Sequence, residues 1–185
     1  SQRDTDTTAL AHVLLPAAAW GEKDGTVTNS ERHVSRQRAF RAAPGEARPD
    51  WWIVSQVARR MGCPGFDHDG PAAVFREHAA LSALPHRSPR CFDLGALAGC
   101  DRAAYDSLDP APWPRVADRG TPAARLCGDG RFPTPDGRAH FVPTLPRPPA
   151  HGPGPDFPLV LNTGRVRAQW HSMTRTGLSP RLRFH

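Results

Sequence analysis

The most informative stretch of the sequence is Pro158-Leu-Val-Leu-Asn-Thr-Gly-Arg-Val-Arg-Ala-Gln-Trp-His-Ser-Met-Thr-Arg-Thr-Gly177. It begins with an apolar run at residues 159–161, which has the length of one buried strand. The run breaks at Asn162-Thr-Gly164, where glycine permits a sharp turn and the close approach of a ligand. Arginines, hydroxyls and one indole dominate the following loop, and such donors suit a polar, phosphorylated ligand. A solvated basic loop after an edge strand explains the composition equally well.

The composition indicates a chain with long irregular connections and a positive charge that is carried by arginine. Its 185 residues include 21 prolines, and only 38% are hydrophobic. Proline is therefore present at about twice its usual share of roughly 5%. The formal net charge is +6, and Lys23 is the only lysine. Because heavy arginine usage also follows from a GC-rich genome, the charge alone does not indicate nucleic-acid binding. The length suits one domain or two small ones.

The cysteines do not predict a metal site. Their spacing never gives a Cys-x-x-Cys pair, so neither zinc ligands nor iron–sulfur ligands are predicted within the chain. The four positions are Cys63, Cys91, Cys100 and Cys127. With so few cysteines in a chain of this length, a disulfide framework is not expected. We expect reduced thiols and a cytoplasmic location. No stretch reaches the roughly 18 apolar residues of a membrane span.

Hydrophobic periodicity predicts one strand and two helices in the first half of the chain. Residues 9–16 predict a buried strand that ends at a proline, followed by a polar loop over residues 17–29. Residues 51–61 predict a helix with Asp50 as its N-cap. Residues 71–83 predict a second helix with proline in its first turn. The side chains expected on the buried faces are Ile53, Val54, Val57 and Met61 on the first helix, and Val74, Phe75, His78 and Leu81 on the second.

The second half of the chain predicts shorter elements and a linker. Short helices are expected at residues 93–98 and 103–108. Residues 125–132 and 135–142 predict two short strands joined by a turn at Pro135-Asp-Gly137. Residues 143–158 contain seven prolines and two glycines, a composition typical of a linker between domains.

Two blocks of sequence resemble the molybdopterin oxidoreductases. The first is Thr163-Gly-Arg165 followed, after a short spacer, by Trp170-His-Ser-Met-Thr174, which resembles the opening of their C-terminal dinucleotide-binding domain. The second is Leu15-Pro-x-x-x-Trp-x-Glu-Lys-Asp-Gly-Thr-x-x-Asn-x-Glu-Arg32, which resembles a loop that follows a strand in the same family. Within the family the sequence is most similar to the catalytic subunit of assimilatory nitrate reductase. The resemblance runs from about Leu10 to Arg181.

The resemblance implies a cofactor and a set of residues that bind it. The cofactor is molybdenum bis(molybdopterin guanine dinucleotide), and the parent protein also carries a [4Fe-4S] cluster whose ligands lie outside this chain. Neither a catalytic residue nor a metal ligand is expected within the chain. Lysine at position 23 suits a phosphate or guanine partner, and a carboxylate at position 50 can accept two hydrogen bonds from the guanine edge. The positions that match cofactor-binding residues of the family are Lys23, Asp50, Thr163, Gly164, Arg165, Trp170, His171 and Ser172.

The resemblance also implies an α/β fold divided into three parts. Residues 1–142 are expected to form the end of an α/β domain with helices on a parallel sheet. Residues 143–157 are the proline-rich linker. Residues 158–185 are expected to begin a β-barrel domain of the double-psi type, which binds the dinucleotide. We expect the chain to be an internal fragment of a longer protein and to be inactive in isolation.

The implied activity is the reduction of nitrate to nitrite by oxygen-atom transfer at the molybdenum centre. The electron donor would be ferredoxin, flavodoxin or an NADH-linked reductase subunit, and neither a nucleic-acid partner nor a membrane segment is expected. Periplasmic nitrate reductase and formate dehydrogenase are alternatives within the family. A non-enzymatic basic module that binds phosphates or RNA is an alternative from another class. It is disfavoured because the aromatic residues do not alternate with the arginines as a stacking platform requires, and no nucleic-acid motif is present.

Overall fold

A computed structural model describes residues 5–86, 90–117, 125–162 and 176–182. The chain separates into two units, Ser1–His140 and Phe141–His185, which we describe in turn. The first unit has helices and a small sheet, and the chain is therefore of the α/β class. The predicted division at residues 142 and 157 stays a prediction.

Four helices and three strands are present among the described residues, and all lie in the first unit. The helices are α1 (Asp6–Ala9), α2 (Asp50–Arg60), α3 (Pro71–Ser82) and α4 (Arg102–Asp106). The strands are β1 (Gly25–Thr28), β2 (His33–Gln37) and β3 (Ala111–Pro112). Single 3₁₀ turns span Trp20–Glu22 and Gly95–Leu97.

The sheet is antiparallel, in the order β1-β2-β3. Gly25 lies opposite Gln37 and Thr28 opposite Val34, so β1 and β2 form a hairpin. The Asn29 side chain holds its turn, because its Oδ1 accepts hydrogen bonds from the backbone N–H groups of Glu31 and His33. In the described residues, parallel pairing is limited to one isolated bridge between residues 17 and 48. The predicted parallel sheet and the barrel stay predictions.

The core of the first unit lies between the sheet and α3. The Phe75 ring is 3% exposed and its centroid lies 5.4 Å from that of Tyr105, whose side chain is 1% exposed. Leu94 is buried beside them because the turn at Gly95–Leu97 packs on α3. The buried cluster is Val34, Ala72, Phe75, Ala79, Leu94 and Tyr105. It joins residues from the sheet, two helices and the segment between them.

The two long helices are confirmed, but their predicted buried faces are wrong. On α2 the buried residues are Ser55 and Ala58. On α3 they are Ala72, Phe75 and Ala79, so Phe75 alone was assigned correctly. The larger apolar side chains face outward, with Val54 58% exposed and Leu81 53% exposed. Alanine and serine lie inward because a small side chain lets a helix approach its neighbour closely.

Four predicted strands are absent from the described residues, namely those at 9–16, 125–132, 135–142 and 159–161. Residues 10–16 follow α1 without strand pairing, and Leu10 and Val13 are 84% and 73% exposed. Residues 125–142 make turns rather than a hairpin, although the turn at Pro135-Asp-Gly137 is present because Gly137 N–H donates to the Thr134 carbonyl. Residues 159–161 are also outside any strand and 75–92% exposed. In each case the apolar run finds no described strand beside it to complete its hydrogen bonds.

In the second unit the described residues are mostly extended and irregular. Residues 141–162 contain no helix or strand, which agrees with their proline content. A local pair of hydrogen bonds closes a turn between Gly154 and Phe157. Two 3₁₀ turns, Thr176–Leu178 and Pro180–Leu182, follow near the end of the chain.

Candidate functional site

The structure brings together two of the residues that the sequence assigned to the cofactor. Lys23 Nζ donates to Asp50 Oδ2 at 2.7 Å, although 27 positions separate the two residues. The Lys23 side chain is 25% exposed and that of Asp50 is 65% exposed. The ammonium group has three donors and the carboxylate has several acceptor positions, so each group keeps capacity for a ligand.

Asp50 reaches Lys23 from the first turn of α2, where it does not cap the helix as predicted. Pro49 occupies the N-cap position with φ −60° and an extended ψ of 145°, and no side chain caps the helix there. The fixed φ of proline suits this position, which makes Asp50 the first helical residue. Its carboxylate lies at the positive end of the helix dipole and is directed to Lys23.

Lys23 belongs to a short loop, residues 19–25, whose shape is set by internal contacts. The turn Trp20–Glu22 is closed on itself because Ala19 N–H donates to Glu22 Oε2 at 2.8 Å. The Glu22 side chain is 8% exposed and lies 3.5 Å from the Arg41 guanidinium. The ring of Phe40 covers Gly21 so closely that a Cβ there would lie 2.3 Å from it. Any side chain at position 21 would therefore have to displace the Phe40 ring, which is 81% exposed.

Arg36, on β2, lies beneath the same loop. Its side chain is 3% exposed, and its guanidinium lies 3.2 Å from Asp106 and 3.7 Å from Asp24. The Cζ atom is 4.1 Å from the centroid of the Tyr105 ring. Burial raises the pKa of the Tyr105 hydroxyl, and the positive charge of Arg36 opposes that rise. A buried arginine is tolerated here because carboxylates and an aromatic face surround it.

A cavity of about 320 Å³ opens between β1 and α3. Two of its lining residues, Asp24 and Trp51, directly follow Lys23 and Asp50 in the sequence. A volume of this size lies at the lower end of the range of small-molecule sites. Its wall combines hydrogen-bonding and aromatic groups, including Asp24, Thr26, Thr28, Trp51, Phe75 and His78. The arrangement can hold a polar, partly aromatic group next to a paired cation and carboxylate.

The pairing with Lys23 lowers the pKa of the Asp50 carboxyl below its usual range. The hydrogen bond from Lys23 is the main cause, its positive charge adds to the effect, and partial burial opposes it. Asp50 is therefore fully ionised near pH 7. An ionised carboxylate can only accept hydrogen bonds, which matches a partner that presents N–H donors.

The Lys23–Asp50 pair makes a small contribution to stability that depends on pH. Exposed ion pairs are worth about 1 kcal/mol or less, so we expect Asp50→Asn to cost no more than that at pH 7. The folded-state pKa of Asp50 is lowered, so the contribution is complete above the usual carboxyl pKa of about 3.9 and is lost as pH falls through the lowered value. Urea denaturation of the wild type and of Asp50→Asn between pH 7 and pH 3 measures the difference in their free energies of unfolding. A stability difference that does not shrink toward low pH would show that the ion pair does not form.

The other predicted site residues fall outside the described part of the chain. These are Thr163, Gly164, Arg165, Trp170, His171 and Ser172. Their role stays a prediction. Among the described residues, no group of three or more histidine, cysteine or acidic side chains could hold a metal ion. Searched over the same ranges, no helix has the length and apolar character needed to cross a membrane.

Sequence reasoning missed three residues that shape the site. Asp24 lines the cavity, and Arg36 and Gln37 bond to the loop from β2. Arg36 lies in a segment with several other arginines, and nothing in the composition separates the buried arginine from the exposed ones. Val34 and Arg36 lie two positions apart and therefore on the same face of β2, a signal that depends on the hairpin, which was not predicted.

Comparison of the sequence with known proteins identifies the family to which this site belongs. The family model described as molybdopterin oxidoreductase matches residues 2–60, which include both Lys23 and Asp50. A nitrate reductase from Klebsiella oxytoca is 50% identical over 183 residues, covering 98% of this chain and 21% of that protein. An assimilatory nitrate reductase from Haloferax mediterranei is 39% identical over 183 residues, with 93% and 24% covered. An F420-dependent formate dehydrogenase 2 subunit alpha from Methanococcus maripaludis is 36% identical over 175 residues, again with 93% and 24% covered.

The chain belongs to the molybdopterin oxidoreductase family, and the predicted resemblance is confirmed. Nitrate reductases that are 43–50% identical align with nearly its whole length. The chain spans between a fifth and a quarter of the length of these relatives, 20–24%. Membership of the family implies a molybdenum–pterin cofactor.

Proposed function

We propose that this chain forms part of the catalytic subunit of a molybdenum-dependent nitrate reductase and binds the guanine dinucleotide of its cofactor. The observation that carries this proposal is the 2.7 Å contact between Lys23 and Asp50. The family motifs assign these two residues to the cofactor from separate segments of sequence. Their meeting in the fold supports one shared ligand site. The names of the relatives support nitrate as the substrate.

The described residues fit a phosphorylated guanine dinucleotide. Lys23 presents an ammonium group suited to a phosphate, and Asp50 presents an ionised carboxylate suited to the N–H groups of guanine. The neighbouring cavity adds aromatic and hydroxyl groups. When bound, the molybdenum centre supplies the two-electron oxygen-atom transfer that reduces nitrate to nitrite. The part played by this chain is to bind and orient the dinucleotide.

Several features of the whole protein follow from the proposal. Electrons would arrive through a [4Fe-4S] cluster from ferredoxin, flavodoxin or an NADH-linked reductase subunit, and the protein would act in the cytoplasm. The relatives that are formate dehydrogenases make oxidation of formate the second candidate. It ranks lower because three formate dehydrogenases are 32–36% identical to this chain, whereas three nitrate reductases are 43–50% identical. Both candidates use the same cofactor site.

Replacing Lys23 tests the cofactor site directly. A hydrogen bond to a charged group is worth about 1.5–3 kcal/mol, so Lys23→Gln is expected to weaken cofactor retention about 10- to 100-fold. Molybdenum and guanine nucleotide per mole of purified protein measure retention, and nitrate reduction with a reduced dye measures activity. We expect all three to fall together, while the thermal midpoint of protein prepared without molybdate stays nearly unchanged.

The ion pair between Arg59 and Asp67 provides a matched control. Its atoms lie 3.2 Å apart on the surface, and its arginine is the tenth residue of α2. Arg59→Gln removes one positive charge from a more exposed pair, whose arginine is 52% exposed against 25% for Lys23, and should leave molybdenum, guanine and activity unchanged. If the Lys23 and Arg59 variants retain equal amounts of molybdenum and guanine, Lys23 does not bind the cofactor. A wild-type protein without molybdenum would overturn the proposed function as a whole.

A further inference from the structure

Three backbone carbonyl groups of the 19–25 loop accept hydrogen bonds from two adjacent side chains of β2. Arg36 Nη1 donates to the Gly25 carbonyl at 2.7 Å. Gln37 Nε2 donates to the Trp20 carbonyl at 2.5 Å and to the Lys23 carbonyl at 3.2 Å. We refer to Arg36 and Gln37 as the loop clamp. It fixes both ends of the turn that carries Lys23, and one of its bonds ends on Lys23 itself.

The clamp is anchored on the side away from the loop. Arg36 Nη2 donates to Asp106 Oδ1 at 3.2 Å, and Asp106 is the last residue of α4. Arg36 Nη1 also reaches the Tyr105 hydroxyl at 3.4 Å and the Gln37 carbonyl at 2.9 Å. These contacts, with 3% exposure, leave the guanidinium little freedom to rotate. The buried Arg36 side chain therefore connects α4 directly to the loop.

We propose that Arg36 and Gln37 are positioning residues that hold the Lys23 ammonium against Asp50. A lysine side chain is flexible and loses considerable rotamer entropy when it is held in one place. A fixed backbone on both sides of Lys23 reduces the number of positions that its ammonium can explore. Asp24, 3.7 Å from Arg36, is held by the same guanidinium. The clamp acts through Lys23 and need not touch the ligand, and its relevance to the cofactor rests on the proposed function.

The single lysine of the chain makes the proposal directly measurable. An N-hydroxysuccinimide ester acylates free amines, and mass spectrometry of the peptide that contains Lys23 reports its rate alone. The full chain is prepared without molybdate so that the cofactor does not cover the amine. Gln37→Ala and Arg36→Gln are expected to raise the Lys23 rate about fivefold, the effect of losing one ordinary hydrogen bond. Asp50→Asn removes the partner carboxylate, and its Lys23 acylation rate gives the upper limit for comparison.

Arg38→Gln is the matched control. Arg38 follows Gln37 directly and its Nη2 donates to the Asp106 backbone carbonyl, so it also bonds to α4. In the structure no hydrogen bond or ion pair is described between Arg38 and residues 19–25. Its replacement should leave the Lys23 rate at the wild-type value. Because the buried Arg36 could be needed for folding, the thermal midpoint is measured for every variant, and the part-buried Gln37 decides the result if Arg36→Gln does not fold.

Two outcomes are informative. A raised Lys23 rate in the clamp variants, with a wild-type rate in Arg38→Gln, supports positioning. An unchanged rate in Gln37→Ala, with or without a lower thermal midpoint, overturns it and leaves the clamp a purely structural role. Molybdenum and guanine content, measured separately on protein prepared with molybdate, test the cofactor site. Failure of the proposed function would appear there and would leave the labelling rates as they are.

Discussion

Phe75→Ala is expected to lower the free energy of unfolding by about 3–5 kcal/mol, the usual cost of removing a buried phenylalanine ring. The Phe75 side chain is 3% exposed and packs against Tyr105 with ring centroids 5.4 Å apart. It also lines the cavity between β1 and α3. Since the total stability of a domain is about 5–15 kcal/mol, this loss removes a large part of it. Denaturant unfolding followed by circular dichroism measures the change.

Phe141→Ala provides the comparison for this experiment. That ring is 95% exposed, so its removal should change stability by about 0.5 kcal/mol or less. If Phe75→Ala leaves too little folded protein to measure, Phe75→Leu keeps most of the buried volume and should cost roughly half as much. A cost below about 1 kcal/mol for Phe75→Ala would mean that α3 does not cover the sheet as described.

The helices were predictable because their boundary signals are local. Proline at the start of α3 and glycine after α2 mark the helix ends, and these signals do not depend on what the helix packs against. Their buried faces were not predictable, since the side chains that meet the core are small. Ala72 and Ala79 are 4% and 0% exposed, whereas Met61 is 74% exposed. Hydrophobic periodicity gives the most weight to large side chains and therefore selected the outward faces.

The hairpin was missed for a related reason. Residues 25–28, Gly-Thr-Val-Thr, carry one large apolar side chain, and the sequence favoured a loop. The strand forms because its partner β2 supplies the hydrogen bonds, and a propensity scale does not contain that partner. Without the hairpin, nothing predicted that Arg36 and Gln37 would lie beneath residues 19–25.

The candidate site was predictable only in its choice of residues, whose role toward the cofactor stays a prediction. Lys23 and Asp50 were selected by motif and by chemistry, and they meet in the structure. Their contact could not be derived from spacing, because it depends on the path of residues 24–49 through the hairpin and back to α2. The motif block at residues 163–174 lies outside the described residues, and its role stays a prediction.

Exchanging the two charged residues separates the ion pair from the ligand site. Lys23→Asp alone places two carboxylates where the ammonium of Lys23 lies 2.7 Å from Asp50. Like charges repel, and stability should fall by about 1 kcal/mol. The double variant Lys23→Asp/Asp50→Lys restores opposite charges and should recover most of this loss. Neither position then presents the group that the cofactor requires, and both variants should retain at least about 100-fold less molybdenum and guanine than wild type.

The double variant discriminates between two roles because stability is measured on protein prepared without molybdate and cofactor retention on protein prepared with it. Recovery of stability without recovery of molybdenum is the expected result, since phosphate and guanine distinguish a cation from a carboxylate at each position. Recovery of both would show that the pair serves only to join the loop to α2, and the proposed contacts would be wrong. Exchange of the surface pair Arg59 and Asp67 serves as the control, because it reverses an exposed ion pair that does not involve the 19–25 loop. It should leave molybdenum content at the wild-type level, so a loss there would indicate that charge exchange on α2 disturbs the site indirectly.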